Sequence, residues 1–377
     1  MNYNCIATCA FGLESATARE LKELGVENIK TSNGRVDFTG SDRDLARANL
    51  WLRTADRVLI LLAEFSAATF EELFQGVYGV DWGELLPENA NIHVVGKSVK
   101  SGLHSVPDCQ SITKKAIVEK LKKKYRREYF SEDGAEYRIS VSILKDTVSI
   151  TLDTSGAGLH KRGYRGLAGA APLKETLACA LLGLTFWRDE KLLIDPLCGS
   201  GTIPIEAAMI ALRIAPGLRR RFACEKWGLL PQGLFTQLRA EAREAIRTDL
   251  NLHIYGSDLD PKAVDLACLH AREAGVDEYV HFKQMNVCDL HSAEKYGFIV
   301  TNPPYGERLG QSRQVEALYR DMGCVFSRLD TWSFYIISAH PYFEKAFGRK
   351  ADKRRKLYNG RLECQYYQYP GPKPPRN

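Results

Sequence analysis

The sequence predicts a chain of two parts, a small mixed α+β region followed by an α/β domain built on a parallel sheet. Three observations carry that prediction. Short strands and helices fill the first 150 or so residues without regular alternation, and beyond residue 190 strands and helices alternate. Between them DTSGAGLHKRGYRGLAGAA, residues 153–171, crowds five glycines with a basic cluster. Such a stretch reads as a linker or a shaped loop, and the domain boundary is placed there.

The first region opens with a strand from Asn4 to Cys9, a helix from Leu13 to Leu24, strands near Ile29 and Val36, a helix from Asp42 to Trp51 and a strand from Arg57 to Phe65. A second group starts near Phe70 with a helix reaching Tyr78, then the strand NIHVVGKSV, a basic helix, and the strands YRISVSIL and TVSITLDT. The strands rest on alternation of apolar and polar side chains, the helices on apolar recurrence at every third or fourth position. The expected domains are residues 1–65, 66–155 and 156–377.

In the third part KLLIDP precedes IPIEAAMIALRIA, LHIYGSD precedes DPKAVDLACLHAREAG, and YVHFKQM, GFIVTNPP and SFYIISA follow. Strands separated by helices run parallel, and ligands of such sheets bind outside the carboxyl ends of the strands. KLYNGRLECQYYQYP has strand, Asn-Gly turn and strand, the pattern of a hairpin.

A length of 377 residues allows two or three cores, and a hydrophobic fraction of 45% with 26% charged residues belongs to a globular chain. No apolar run is long enough to cross a bilayer, and MNYNCIATCAFGLE has no basic segment leading an apolar one, so a cytoplasmic protein without a membrane partner is expected. Ten scattered cysteines without a CxxC pair are expected to be reduced, several of them buried, and no metal site is expected.

The net charge of +6 is modest, so its distribution matters more. Residues 113–127, TKKAIVEKLKKKYRR, carry eight basic residues against one Glu; Arg219, Arg220 and Arg221 are consecutive; and residues 345–356 hold seven more. In the first cluster Ile112, Ala116, Ile117 and Leu121 form an apolar helix face. A solvated surface and a membrane-surface helix are the alternatives. The near-absence of acids in the helix favours contact with a phosphate backbone through Lys114, Lys115, Lys122, Lys123, Lys124, Arg126 and Arg127.

At the first strand end Asp195 leads into PLCGSGT, where Gly199 and Gly201 allow close approach of a ligand and the next helix offers free amides. Pro204 occupies the third glycine position of a dinucleotide fingerprint, and the Lys-Ser/Thr ending of a triphosphate loop is absent. An acid beside close glycines suits a zwitterionic, cationic ligand better than a polyanion. The second strand delivers Asp258, placed to accept ribose hydroxyls, while Asp260 before Pro261 reads as a helix cap. Asp289 after the third strand is placed for an adenine amine. An adenosine with a cationic amino-acid tail satisfies the set, which is S-adenosylmethionine. After the fourth strand comes TNPPYGERLG, where two prolines stiffen the chain and Asn302 and Tyr305 are suited to grip a planar group carrying an amine.

DPLCGSGT, GSDLDP, NVCD and TNPPYGERLG, with LHKRGYR and APLKETLACALL, resemble the class I methyltransferases that modify exocyclic amines, and among them the THUMP-domain RNA guanine-N2 methyltransferases, in particular the bacterial enzymes acting on large-subunit (23S) ribosomal RNA. The resemblance implies a ferredoxin-like N-terminal piece, a THUMP domain that holds RNA, and a Rossmann-like catalytic domain. It implies cofactor contacts at Asp195, Pro196, Cys198, Gly199, Gly201, Thr202, Asp258, Leu259, Asp289 and Asn302, with the acceptor amine gripped by Asn302, Pro303, Pro304 and Tyr305. Lys174 and Glu175 stand either under the methionine end of the cofactor or at an ordinary helix start. The segment between Asp195 and Asp258 is longer than one helix needs. Its Arg219 to Arg221, Phe222 and Trp227 suit either RNA contact or covering the sheet. A tRNA guanine-N2 enzyme, an adenine-N6 enzyme and an RNA-binding protein with an inactive fold stay open at this stage.

Overall fold

The computed structural model describes residues 2–166, 173–306 and 312–375. Residues 167–171 of the glycine-rich stretch and 307–310 of the TNPPYGERLG motif lie outside them. The chain divides into two compact units, one of Met1–Cys9, Thr17–Leu159 and Arg221–Leu238, the other of Ala10–Ala16, His160–Arg220 and Arg239–Asn377.

The first unit holds a seven-stranded sheet of β1 (Asn2–Cys9), β2 (Glu27–Ser32), β3 (Arg35–Ser41), β4 (Ala55–Ser66), β5 (Asn91–Val99), β6 (Glu136–Leu144) and β7 (Thr147–Asp153), in the order β2-β3-β1-β4-β7-β6-β5. The helices of this part of the chain are α1 (Glu14–Glu23), α2 (Asp42–Trp51), α3 (Phe70–Tyr78), α4 (Trp82–Leu85) and α5 (Val106–Tyr125). One continuous sheet crosses residue 65 because β4 pairs β1 along one edge and β7 along the other. Among the described residues of this sheet only β5 and β6 pair in parallel, and α5 supplies the crossover that a parallel pair needs. Helices α2 and α3 begin at Ser41 and Thr69, each in a reciprocal cap with Asp44 or Glu72, so their starts are fixed by side chains three residues apart.

Part of the long segment between Asp195 and Asp258, Arg221–Leu238, turns out to serve this unit. Trp227 is 4% exposed, stacks on Tyr137 at 4.8 Å with 13° between the rings, and donates its indole N–H to the Glu136 carbonyl at 3.1 Å. Phe222, 2% exposed, packs on Phe235. Of the two uses that this composition allowed, Trp227 takes the second and covers the N-terminal sheet at β6.

The second unit holds β8 (Leu193–Asp195), β9 (Ile254–Asp258), β10 (Val280–Gln284), β11 (Phe298–Thr301), β12 (Ser333–Ser338), β13 (Lys353–Asn359) and β14 (Leu362–Tyr369), ordered β10-β9-β8-β11-β12-β14-β13. Strands β8 to β12 are parallel, and β14 returns antiparallel to β12 with Tyr366 opposite Ile337, a register the hairpin sequence alone leaves free. Helices α6 (Glu175–Gly183), α7 (Thr202–Ala211), α8 (Leu234–Glu244), α9 (Pro261–Ala274), α10 (Ser312–Phe326) and α11 (Phe343–Phe347) follow in the chain. An aromatic cluster of Tyr319, Phe326, Phe334, Phe343, Phe347 and Tyr367 fills the core beside β12. Among the described residues no helix is long and apolar enough to cross a membrane. Seven of the ten cysteines are buried.

Candidate active site

Strand order reverses direction between β8 and β11, so their carboxyl ends diverge into a crevice, the position where open α/β sheets bind ligands. Asp195 ends β8 and is 2% exposed; its Oδ1 accepts from the Thr301 hydroxyl at 2.6 Å and from the Leu197 amide at 3.2 Å. Thr301 is the last residue of β11, so one hydrogen bond ties the two strand tips together. Burial pushes the Asp195 carboxyl up to about 7, opposed by these two bonds and reinforced by the charge of Asp258.

Asp258 ends β9 and shapes the glycine loop: its two oxygens accept from the Gly199 amide at 2.9 Å and the Asp260 amide at 3.0 Å. Asp260 caps α9 by accepting from the Lys262 amide, with Pro261 at the first helical position, as the sequence predicts. The two loop glycines separate in role. Both have positive φ, but a Cβ on Gly199 meets nothing within 4 Å, whereas one on Gly201 would lie 2.8 Å from Phe282 Cζ and 2.9 Å from Ala267 Cβ. Gly201 is required by helix-to-strand packing, whereas Gly199 faces open space.

A cavity of about 380 Å³ opens there. Of the residues expected around a cofactor, Asp195, Cys198, Gly199, Thr202 and Asn302 line it; Pro196, Gly201, Asp258, Leu259 and Asp289 do not. Leu259 is 62% exposed, and Asp289 lies in an exposed turn at Val287–Asp289. The sequence reading passed over Leu173, Ile203 and Leu266, apolar walls that carry no chemical signature. Lys174 and Glu175 stand at the start of α6, and Glu175 pairs with Arg165 at 3.0 Å rather than lining the cavity. Two carboxyls on the lining, Asp195 and Asp260, against one cation, Lys262, with the open space at Gly199, fit a zwitterionic ligand with a cationic tail.

Beyond Thr301 the backbone leaves the sheet. Pro303 is buried, and the Pro304 carbonyl accepts from the Tyr319 hydroxyl at 2.7 Å, itself bonded to Ser338 at 3.0 Å. The Tyr305 hydroxyl donates to Asn302 Oδ1 and is also faced by Asn359 and Cys364 of the β13–β14 hairpin, and burial raises its pKa. Tyr305 thus orients the Asn302 amide, a role not visible in the sequence, and its ring lies toward the hairpin instead of forming a cavity wall.

Behind the glycine loop the KRGYR segment is pinned by a buried carboxylate. Glu206 of α7, fully buried, accepts from the Tyr164 hydroxyl at 3.0 Å, lies 3.5 Å from Arg162 Nε, and is 2.8 Å from the Cys179 sulfur. The only sequence signal for it is a Glu inside an otherwise apolar helix. Among the described residues no group of three or more His, Cys, Asp or Glu could hold a metal.

Helix α5 is less cationic than its sequence suggests. Acids from elsewhere in its unit reach it: Glu132 pairs with Lys114 at 2.8 Å, Glu128 with Lys122 at 3.1 Å, Glu84 with Lys124 at 2.6 Å and Glu88 with Arg127 at 2.6 Å. The expectation of an unneutralised helix is corrected by these acids. Among the described residues Lys115, Lys123 and Arg126 are exposed and make no ion pair.

Sheet order, glycine loop and the Asn-Pro-Pro-Tyr tip together define a class I methyltransferase, the fold whose members draw on S-adenosylmethionine. The chain belongs to the RMKL-like family: the RMKL-like methyltransferase domain matches residues 162–368, the RlmL ferredoxin-like domain residues 4–59 and the THUMP domain residues 67–153. It is 50% identical over 369 residues to YpsC of Bacillus subtilis (strain 168), provisionally named an RNA methyltransferase, covering 97% of this chain and 96% of that one. It is 35% identical over 374 residues to the ribosomal RNA large subunit methyltransferase K/L of Shewanella amazonensis, covering 97% of this chain but 53% of that longer protein. Among solved structures, SMU.472, described as a methyltransferase and complexed with SAH, superposes with a TM-score of 0.94 at 46% identity, covering 99% of both chains. A Listeria monocytogenes protein described as an N6-adenine-specific DNA methylase gives a TM-score of 0.94 at 48% identity, covering 99% of this chain and 97% of that one.

Proposed function

We propose that the protein methylates the exocyclic N2 amine of a guanine in large-subunit ribosomal RNA, using S-adenosylmethionine. The observation that carries the reading is Asn302 on the cavity wall, its amide oriented by the Tyr305 hydroxyl and its strand tied to the cofactor loop through Thr301 and Asp195. The bound cofactor supplies an electrophilic methyl group. The guanine N2 lone pair is delocalised into the ring, so the chain gains by holding the amine with acceptors that favour a more nucleophilic nitrogen. Asn302 Oδ1 has a second lone pair beyond the one Tyr305 occupies, and the Pro303 carbonyl is the other acceptor. Positioning and electrostatics supply the rate, and no strong base is called for.

Asp195, Pro196, Cys198, Gly199 and Thr202 cradle the cofactor, and Leu259 closes on it. Asp258 takes the ribose hydroxyls through the acceptor positions its two loop amides leave unused, and Asp289 turns to the adenine amine. Pro304 holds the Asn302 turn rigid, and the Tyr305 ring meets the base while its hydroxyl keeps its bond to Asn302. The domain boundaries fall near residues 65 and 155, with RNA held by the middle domain through the exposed Lys115, Lys123 and Arg126, and with Lys114, Lys122, Lys124 and Arg127 exchanging their carboxylate partners for phosphates. The site of action is cytoplasmic. RNA is supported by the THUMP match and by the names of YpsC and the K/L enzyme. Adenine N6 is the second reading, favoured by the description of the Listeria relative.

The test is methyl transfer to matched RNAs carrying guanine or inosine at the target. Inosine has no N2 amine. Transfer to the guanine RNA alone supports the reading; transfer that follows adenine content and ignores the change to inosine rejects it.

A further inference from the structure

Along β9 side chains alternate between the two faces of the sheet. Gly256 lies against Phe282 and Cys198 on the side of the cofactor loop, so Tyr255 and Ser257 face the other way. On their side the connection from β10 to β11, residues 285–297, contains one 3-10 turn and no α-helix, and it leaves a second cavity of about 480 Å³ between itself and the sheet.

Its lining has a definite chemistry. Tyr255 is 37% exposed beside the imidazole of His281, with 5.5 Å between the rings. Ser257 also lines it, 2% exposed, and its buried hydroxyl has no hydrogen-bond partner among the described residues. Lys191, Lys283 and Lys295 stand on the lining without an ion pair among the described residues, against the acids Glu190 and Glu294. This contrasts with helix α5, where four cations are already matched by carboxylates. A second copy of the chain would seek an apolar face, and here one exposed ring is ringed by charge.

We infer that this groove binds a single-stranded segment of the RNA substrate flanking the target nucleotide. A base stacks on Tyr255, and the three lysines meet phosphates. The inference rests on the RNA reading above, and it adds an anchor on the catalytic unit that is separate from the cofactor cavity.

The experiment uses the full chain. Lys191→Glu, Lys283→Glu and Lys295→Glu are combined in one variant, and Tyr255→Leu, which keeps the apolar bulk, is a second. RNA affinity is titrated at several salt concentrations, S-adenosylmethionine affinity is measured by calorimetry, and RNA carrying 4-thiouridine is photocrosslinked and the attached peptides mapped. The triple variant is expected to lose at least about tenfold in RNA affinity and to flatten the salt slope by about 2, at roughly 0.7 per phosphate contact. Cofactor affinity stays unchanged, and KM for RNA rises while kcat at saturating RNA holds. Crosslinks map to residues 253–257 or 283–295 and weaken in Tyr255→Leu. An unchanged salt slope with intact cofactor binding, or crosslinks confined to other segments, overturns the inference. So does self-association that the charge reversals dissolve, which assigns the face to a second copy. Should the parent protein crosslink through the groove yet methylate no RNA, the groove stands and the proposed reaction fails.

Discussion

Asp195 combines burial, a neighbouring carboxylate and a place on the cofactor cavity, and these make its protonation part of ligand binding. A carboxyl raised from 3.8 to about 7 binds its proton more tightly in the native state than in the unfolded chain. Its contribution to stability is therefore complete below about pH 4 and is lost as the pH climbs to 7, on the order of 4 kcal/mol if the whole shift applies. A cationic ligand favours the ionised form and reverses that trend. Cofactor affinity should rise with pH up to about 7, with proton release on binding at pH 6, read by calorimetry in buffers of different ionisation enthalpy. Thr301→Val removes a bond that lowers the Asp195 pKa and should move the rise to higher pH. Binding at pH 6 without proton release contradicts the assignment. The loop glycines make a second pair of expectations. Gly201→Ala should lower Tm, since the new Cβ meets Phe282 and Ala267, while Gly199→Ala should weaken cofactor binding with a much smaller change in Tm. Equal effects of the two substitutions on both readouts would remove the distinction.

Elements with strong local signals are legible in the sequence. Helix α2 runs over the expected Asp42–Trp51 because Ser41 and Asp44 cap it, and β6 alternates its buried Tyr137, Ile139, Val141 and Ile143 as a strand with one covered face should. The lining of the candidate cavity is legible where chemistry is concentrated at strand ends, at Asp195, Gly199 and Asn302. It is not legible where a role depends on the local turn geometry, as for the Tyr305 hydroxyl on Asn302, or on distant chain, as for Glu206 behind the KRGYR segment and the acids that neutralise α5. The segment Arg221–Leu238 is the clearest case, since sequence places it between two strands of one sheet and packing assigns it to the other unit. Trp227→Ala should destabilise the N-terminal unit by about 3 to 5 kcal/mol, with S-adenosylmethionine affinity preserved, as followed by denaturant unfolding and calorimetry. By the same reasoning a fragment of residues 156–377 leaves Trp227 without Tyr137 and should aggregate more readily than the whole chain. A soluble, stable fragment would show that the stacking contributes little.

For the molecule as a whole, a sheet-built N-terminal unit carrying the lysine-rich helix α5 and a methyltransferase unit share one chain whose sequence interleaves them. That arrangement suits an enzyme in which one unit grips RNA and the other presents Asn302 to a base brought out of its stack. The most direct measurement is nucleoside analysis of large-subunit ribosomal RNA from cells lacking the protein, before and after incubation with the purified chain and isotopically labelled S-adenosylmethionine, beside the Asn302→Ala variant. The expected result is labelled N2-methylguanosine formed by the parent protein and lost with Asn302→Ala, although that variant binds the cofactor as the parent does. Label in N6-methyladenosine, label confined to transfer RNA, or undiminished transfer by Asn302→Ala would contradict it.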